Sequence, residues 1–233
     1  MAAVKSVKKS QRHFRIVGVI ASRADLALAM QISHPPDLFE LRLDHLLAMA
    51  DELEKMIARL RAPIIITARH PAEGGAHNLR RELRQQLLER FLPQARYVDV
   101  ELRAARHLRE VLDLATRKKV RRIISFHDFD STPDLGRLRA KVRAAEALRP
   151  DIFKVATRVD TPAQLARLLD FTAKGNPRVV VSTMGIGKLG AISRVLLTQC
   201  GSVLAYASMS ERHVQGQMSL EKLRTALRLF GID

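Results

Sequence analysis

The chain has 233 residues, 47% hydrophobic and 27% charged, enough for one large domain or two small ones with a buried core. No apolar run approaches a membrane span, and the single cysteine, Cys200, excludes an intrachain disulfide and a thiolate zinc cluster and fits a reducing cytoplasm. The net charge of +16 points to anionic partners, but aromatics are only 4% and Trp is absent, which argues against nucleic acid as the main partner.

In chain order, MAAVKSVKKSQRH (1–13) is basic and lacks the apolar stretch of a secretory signal, so it reads as a tail ahead of a body spanning 14–233. Strand-like runs then alternate with segments of helical period: FRIVGVIAS with ADLALAMQIS, FELRLDHL with AMADELEKMIARLR, APIIITARH with NLRRELRQQLLERFL, and RYVDVEL with ARHLREVLDLATRK. VRRIISFHDF with PDLGRLRAKVRAAEALR, DIFKVATRV with TPAQLARLLDFTA, RVVVSTMG with GAISRVLLTQ, and SVLAYAS with SLEKLRTALRLF complete the set. Asp51, Glu52 and Glu54 open the second helix, where the dipole favours acids, and Thr161 with Pro162 marks an N-cap and first helical position. Eight such units with short links predict a parallel sheet closed as a single-domain (β/α)8 TIM barrel. A doubly wound open sheet is the alternative, although no strand runs into GxGxxG and a helix. GIGKLG (185–190) reads as a flexible loop after the seventh strand.

Residues two apart on a strand share a face, so Glu40, Arg42 and Asp44 point one way. Thr67 with Arg69, Asp99 with Glu101, and Ser125 with His127 repeat the pattern, while Lys154 stands among apolar neighbours. One such strand is read as a solvated edge. Strands covered on both sides should instead be apolar throughout, and here several carry ionisable groups near their C-terminal halves, where barrels build their active sites. Buried charges of this kind must pair or serve a ligand. His127 can move protons near neutral pH. Lys154, held beside arginines and shielded from water, is expected to be an unprotonated amine that attacks a carbonyl, although lone strand lysines also snorkel to solvent. The remaining histidines show no metal-ligand spacing.

These pieces together resemble type I 3-dehydroquinate dehydratase, the Schiff-base enzyme of the shikimate pathway. The matching motifs are ELRLD, IITAR followed by EGG (Glu73–Gly75), YVDVEL, ISFHDFDSTP, DIFKVAT, GAISR, the GS at Gly201 and Ser202, and the GQ at Gly216 and Gln217, spread over about residues 14 to 229. The resemblance implies a TIM barrel, a homodimer, no metal and no cofactor. It implies conversion of 3-dehydroquinate to 3-dehydroshikimate on the way to chorismate and the aromatic amino acids. By position, Lys154 resembles the imine-forming lysine, His127 the general acid and base, and Glu73 the partner of that histidine. Arg194 resembles the grip on the substrate carboxylate, Glu40, Arg42 and Arg69 the groups that bind hydroxyls and order the charges, and Gln217 the loop residue that closes over substrate.

The chain departs from the family where Ser-Ala-Pro usually precedes GQ. His213, Val214 and Gln215 stand there, so His213 either donates to the same substrate oxygen or faces solvent, and loss of the proline is expected to loosen the loop. MGIGKLGAISR carries additional glycines, and Lys188 within it reads as an exposed lysine. Two other functions stay open at this level. Another Schiff-base barrel of the aldolase kind would share the lysine without needing the ELR, HDF and GQ set. A nucleic-acid-binding protein would cluster its arginines away from the barrel mouth and bind in a salt-dependent way.

Overall fold

The computed structural model describes residues 14–210 and 214–232. The predicted basic segment 1–13 and His213 lie outside the described residues. Eight strands alternate with eight helices: β1 (Arg15–Ile20), α1 (Arg23–Gln31), β2 (Leu38–Arg42), α2 (Ala50–Ile57), β3 (Ile64–Thr67), α3 (Arg81–Phe91), β4 (Tyr97–Glu101), α4 (Arg109–Arg117), β5 (Arg121–Asp128), α5 (Leu135–Glu146), β6 (Ile152–Arg158), α6 (Pro162–Lys174), β7 (Val180–Ile186), α7 (Gly190–Gln199), β8 (Leu204–Ser208) and α8 (Leu220–Leu229). All paired neighbours are parallel, in the order β7-β6-β5-β4-β3-β2-β1-β8.

The ring closes between β7 and β8 through a serine. Ser202, buried just before β8, donates its hydroxyl to Thr183 O at 3.0 Å and accepts from Thr183 N–H at 2.9 Å. With the Val203 N–H to Val181 O bond at 3.4 Å and Ser182 Oγ donating to Leu204 O at 3.3 Å, this side chain replaces the backbone ladder of the other seams.

Two apolar shells are separated by the sheet. Outside it, Leu53, Leu88, Phe91, Val111, Leu168 and their neighbours join helices to strands. Inside it, Val17, Leu38, Ile65, Tyr97, Ile123, Ile152 and Leu204 plug the end where the strands begin. Two residues further along the same faces, the interior turns polar with Glu40, Thr67, Asp99, Ser125, Lys154 and Ser182, all buried. The alternation seen in the sequence is therefore the inward face of a closed barrel whose floor is apolar and whose upper part is charged.

Several boundaries differ from the sequence reading. β2 stops at Arg42 and β3 at Thr67, so Asp44 and Arg69 sit in the turns after their strands. The fifth helix starts at Leu135 with Asp134 as its cap, past Pro133. The Thr161 cap is present as a full capping box with Gln164. GIGKLG is tied down rather than loose: β7 runs through Gly185 and Ile186, Gly187 N–H donates to Gln215 O at 2.9 Å, and Lys188 N–H donates to Asp160 Oδ1 at 2.7 Å. Gly187 has φ of 97°, and a Cβ there would meet Asp160 Oδ1 at 2.3 Å, so the position demands glycine. Among the described residues no helix is long and apolar enough to cross a membrane.

Ser202→Ala removes the hydroxyl without adding bulk and leaves Thr183 N–H and C=O unpaired in the seam. A loss of about 3 kcal/mol in unfolding free energy is expected, read from urea denaturation.

Candidate active site

The centre of the barrel is a chain of paired charges. Lys154, on β6, is 3% exposed, and its Nζ lies 2.5 Å from Asp99 Oδ2 on β4 and 3.5 Å from Glu40 Oε1 on β2. Arg69 holds the same Asp99 with two bonds, Nη1 to Oδ1 and Nη2 to Oδ2, both 3.1 Å, and donates to Ser125 Oγ at 2.7 Å. Ser125 in turn donates to Asp99 Oδ1 at 2.6 Å, and Thr67 donates to Glu40 Oε1 at 2.8 Å. Arg69 also reaches Glu101 Oε1 at 3.3 Å, and Arg84 from α3 closes the chain on Glu101 Oε2 at 2.5 Å while donating to Ala68 O at 2.7 Å.

This corrects the expected surroundings of Lys154. The amine is shielded from water as anticipated and does stand near an arginine, but its immediate partners are two carboxylates, whose Asp99 Oδ2 and Glu40 Oε1 it shares with Arg69. Burial works against the Asp99 charge, yet Arg69 and Lys154 outweigh it and hold the carboxyl well below its usual range. Burial likewise opposes the Arg69 charge, and Asp99, Glu101 and Glu40 together raise its proton affinity.

His127 stands on β5 two residues beyond Ser125, whose strand partner is Lys154, so the imidazole rises one step above the amine on the adjacent strand. Its Nδ1 is 2.9 Å from Glu73 Oε2, and the same oxygen accepts the His127 backbone N–H at 3.0 Å. Burial, then the charges of Arg69 and Lys154, push His127 well below its ordinary value, so the ring is neutral at pH 7. Burial and the nearby Glu101 push Glu73 up to about 7. Near neutrality it is therefore Glu73 that takes up or releases the proton. With Glu73 ionised, Nδ1 carries the hydrogen and Nε2 offers its lone pair.

The loop that delivers Glu73 is built by Arg42. Its Nε and Nη2 bind Asp44 at 3.0 and 2.7 Å, and Nη2 also donates to Gly74 O at 2.9 Å. Asp44 accepts Ala76 N–H at 2.9 Å and Arg69 N–H at 3.2 Å. Gly74 turns with φ of 79° and Gly75 packs where a Cβ would lie 2.3 Å from Arg69 O, which explains the two glycines after Glu73.

Across the mouth, Arg194 on α7 is 4% exposed. Its Nη1 donates to the carbonyls of Gly185, Gly190 and Gly216 at 2.9, 2.8 and 2.7 Å, and Nε donates to Tyr206 O at 3.2 Å. It has no carboxylate partner among the described residues, and burial alone lowers its value to about 10. A buried guanidinium pinned by carbonyls and left without a counter-ion is suited to an anionic ligand. Gln217 is buried on the same loop, with its N–H on Val214 O at 3.1 Å.

Of the residues singled out in the sequence, Glu40, Arg42, Arg69, Glu73, His127 and Lys154 form one connected group, and Arg194 and Gln217 share the neighbouring loops. Asp99, Glu101 and Arg84 belong to the group and were not among the predicted site residues. The YVDVEL parity placed Asp99 and Glu101 inside. Arg84 lies in a helix with nothing local to mark it. Among the described residues no cluster of three or more His, Cys, Asp and Glu could hold a metal ion.

Comparison with known proteins bears on the same site. The family model for type I 3-dehydroquinase matches residues 16–233. A 3-dehydroquinate dehydratase of Thermococcus onnurineus (strain NA1) is 35% identical over 223 residues, 93% of this chain and 98% of that one. Another from Shouchella clausii (strain KSM-K16) is 34% identical, covering 82% of this chain and 80% of its own. The crystal structure of 3-dehydroquinate dehydratase from Geobacillus kaustophilus HTA426 superposes with a TM-score of 0.81 at 27% identity, over 93% of this chain and 91% of that one.

Base catalysis at Nε2 needs Glu73 ionised and His127 neutral. Activity is expected to fall as pH drops through about 7, where Glu73 takes up its proton, and to level off above it. Glu73→Gln should lose that acid limb and run about 10²-fold slower throughout, read from kcat against pH.

Proposed function

The chain belongs to the type I 3-dehydroquinase family, and we propose that its reaction runs on Lys154 and His127. Its activity is that of a hydro-lyase of the shikimate pathway, removing water from 3-dehydroquinate. The observation that carries the residue assignment is the buried Lys154, paired with Asp99 and Glu40, with the His127–Glu73 pair one step above it on the adjacent strand.

The chemistry balances from the resting ion pair. Lys154 passes one proton to its carboxylate partners, attacks the ketone as the free amine, and the carbinolamine takes that proton back as its hydroxyl leaves as water, so the iminium forms with no net proton change and stands as a cation in the same place. The iminium draws electrons from the adjacent carbon. His127 Nε2 takes the α-proton, leaving a neutral enamine and an imidazolium whose Nδ1–H is held by Glu73. The enamine pushes out the β-hydroxyl, which leaves as water with the proton from His127. A second water then hydrolyses the product iminium and returns 3-dehydroshikimate and the Lys154 ammonium.

Arg194 binds the substrate carboxylate in this reading, because its buried charge has no counter-ion of its own. Arg69 keeps Asp99 charged and in position, and Arg42 holds the loop that carries Glu73. Glu40, 3.5 Å from the Lys154 amine, and Gln217 on the loop after β8 are assigned to the substrate hydroxyls, and the sequence assigns His213 to the same task. The Gly187 to Gln215 bond and the approach of Gly190 to Gly216 support a loop that is braced even without the proline.

The proposal extends to a catalytic body of 14–233 preceded by a basic segment 1–13, to a cytoplasmic location and to a homodimer. Leu229 and Phe230, 80% and 71% exposed at the end of α8, with Leu28 on α1, give apolar surface for a second copy.

Borohydride added during turnover of 3-dehydroquinate should fix a substrate-derived mass on the peptide holding Lys154. Lys154→Ala should give no adduct and near-background turnover, and a Lys154→Ala protein with ordinary activity sinks the assignment. His127→Ala should slow turnover by about 10²–10⁴-fold while the amine remains available for trapping. For the dimer, light scattering should give twice the 26.2 kDa of one chain, and a single-chain mass refutes it.

A further inference from the structure

Among the described residues, one buried side-chain polar atom has no hydrogen-bond partner: the hydroxyl of Tyr206. Native proteins rarely keep such a group without a reason. Tyr206 is 4% exposed on β8 and belongs to the interior apolar cluster that floors the barrel. Lys154 Nζ sits over the face of its ring, 4.6 Å from the centroid. Arg194 fixes the strand at this residue by donating to Tyr206 O at 3.2 Å. Burial, then the charges of Glu40 and Asp99, raise the phenol far above its usual value, so it stays a neutral ring with its electron-rich face intact.

We propose that Tyr206 is a positioning residue for Lys154, its ring face seating the nitrogen in its cationic states, the ammonium and the iminium on either side of the enamine. The carboxylates hold the ammonium from one side through its hydrogens. Once the nitrogen is bonded to substrate carbon it has a single hydrogen left to share, and the hold of Asp99 and Glu40 weakens. The ring makes no demand on hydrogens. It attracts any cation over its face, so it favours the iminium as much as the resting ammonium. Position is kept through the change in bonding. The hydroxyl takes no part in this contact, which a phenylalanine ring would make equally well.

This rests on Lys154 as the imine-forming residue, and the experiment separates the two. The readout is the yield and rate of the borohydride-trapped adduct on Lys154, together with kcat and KM for 3-dehydroquinate. Tyr206→Leu, which removes the ring face, should trap adduct about tenfold more slowly and lower kcat more than it raises KM. Tyr206→Phe should recover most of the loss and melt a few degrees higher, because the unpartnered hydroxyl is gone. Tyr206 replaced by pentafluorophenylalanine keeps the shape but reverses the charge of the ring face, so it should behave like Tyr206→Leu even if the leucine variant fails to fold. If the fluorinated protein traps adduct as fast as Tyr206→Phe, the proposal is overturned. If the unsubstituted protein forms no adduct on Lys154, the underlying assignment has failed instead.

Discussion

The structure hangs on the carboxylate of Asp99. It is buried, doubly bound by Arg69 and touched by Lys154, and neither of those cations could stay in the barrel without it. The wider group is balanced: Lys154, Arg69 and Arg84 carry positive charge, and Asp99, Glu40 and Glu101 carry negative charge. Removing one member leaves a buried charge uncompensated, which costs far more than the pair itself contributes. The balance explains how a barrel interior this polar can be stable, and it sets the electrostatic field in which the site works.

That field sorts the titratable groups by task. Burial, then the charges of Arg69 and Lys154, lower the affinity of His127 for a proton, while burial and the neighbouring Glu101 raise that of Glu73. Their carboxylate and ring lie across a 2.9 Å contact, so above about 7 an ionised Glu73 faces a neutral imidazole and steadies the imidazolium that forms when the ring takes a proton. Arg194 is the exception to the balance. Its partners are carbonyls, so it contributes a positive charge that a bound anion completes, and its bonds reach both the seventh- and eighth-strand loops. Anion binding and loop placement therefore meet at one guanidinium.

Much of this was legible in the chain. The eight alternating units gave the barrel, and the period of two gave the inward face of β2, β4, β5 and β6. Other parts were not. Asp44 read as a strand residue, but β2 ends at Arg42 and the aspartate folds back to bind that arginine. Arg84 belongs to a helix whose pattern is satisfied without it, and only the distance to Glu101 shows its part. GIGKLG looked loose because it is rich in glycine, yet those glycines let two loops touch.

What the sequence determined by itself is which residues face inward and near which end of each strand, because a strand has a fixed side-chain period and the chain order of units is a parallel barrel's order. It could not determine who faces whom. Lys154 was expected among arginines and lies between carboxylates, since contacts across the barrel depend on strand tilt and stagger. Those follow from closure of the whole ring, and no local stretch encodes them. The proton affinities, which depend on burial and on charges many residues away, were decided there too.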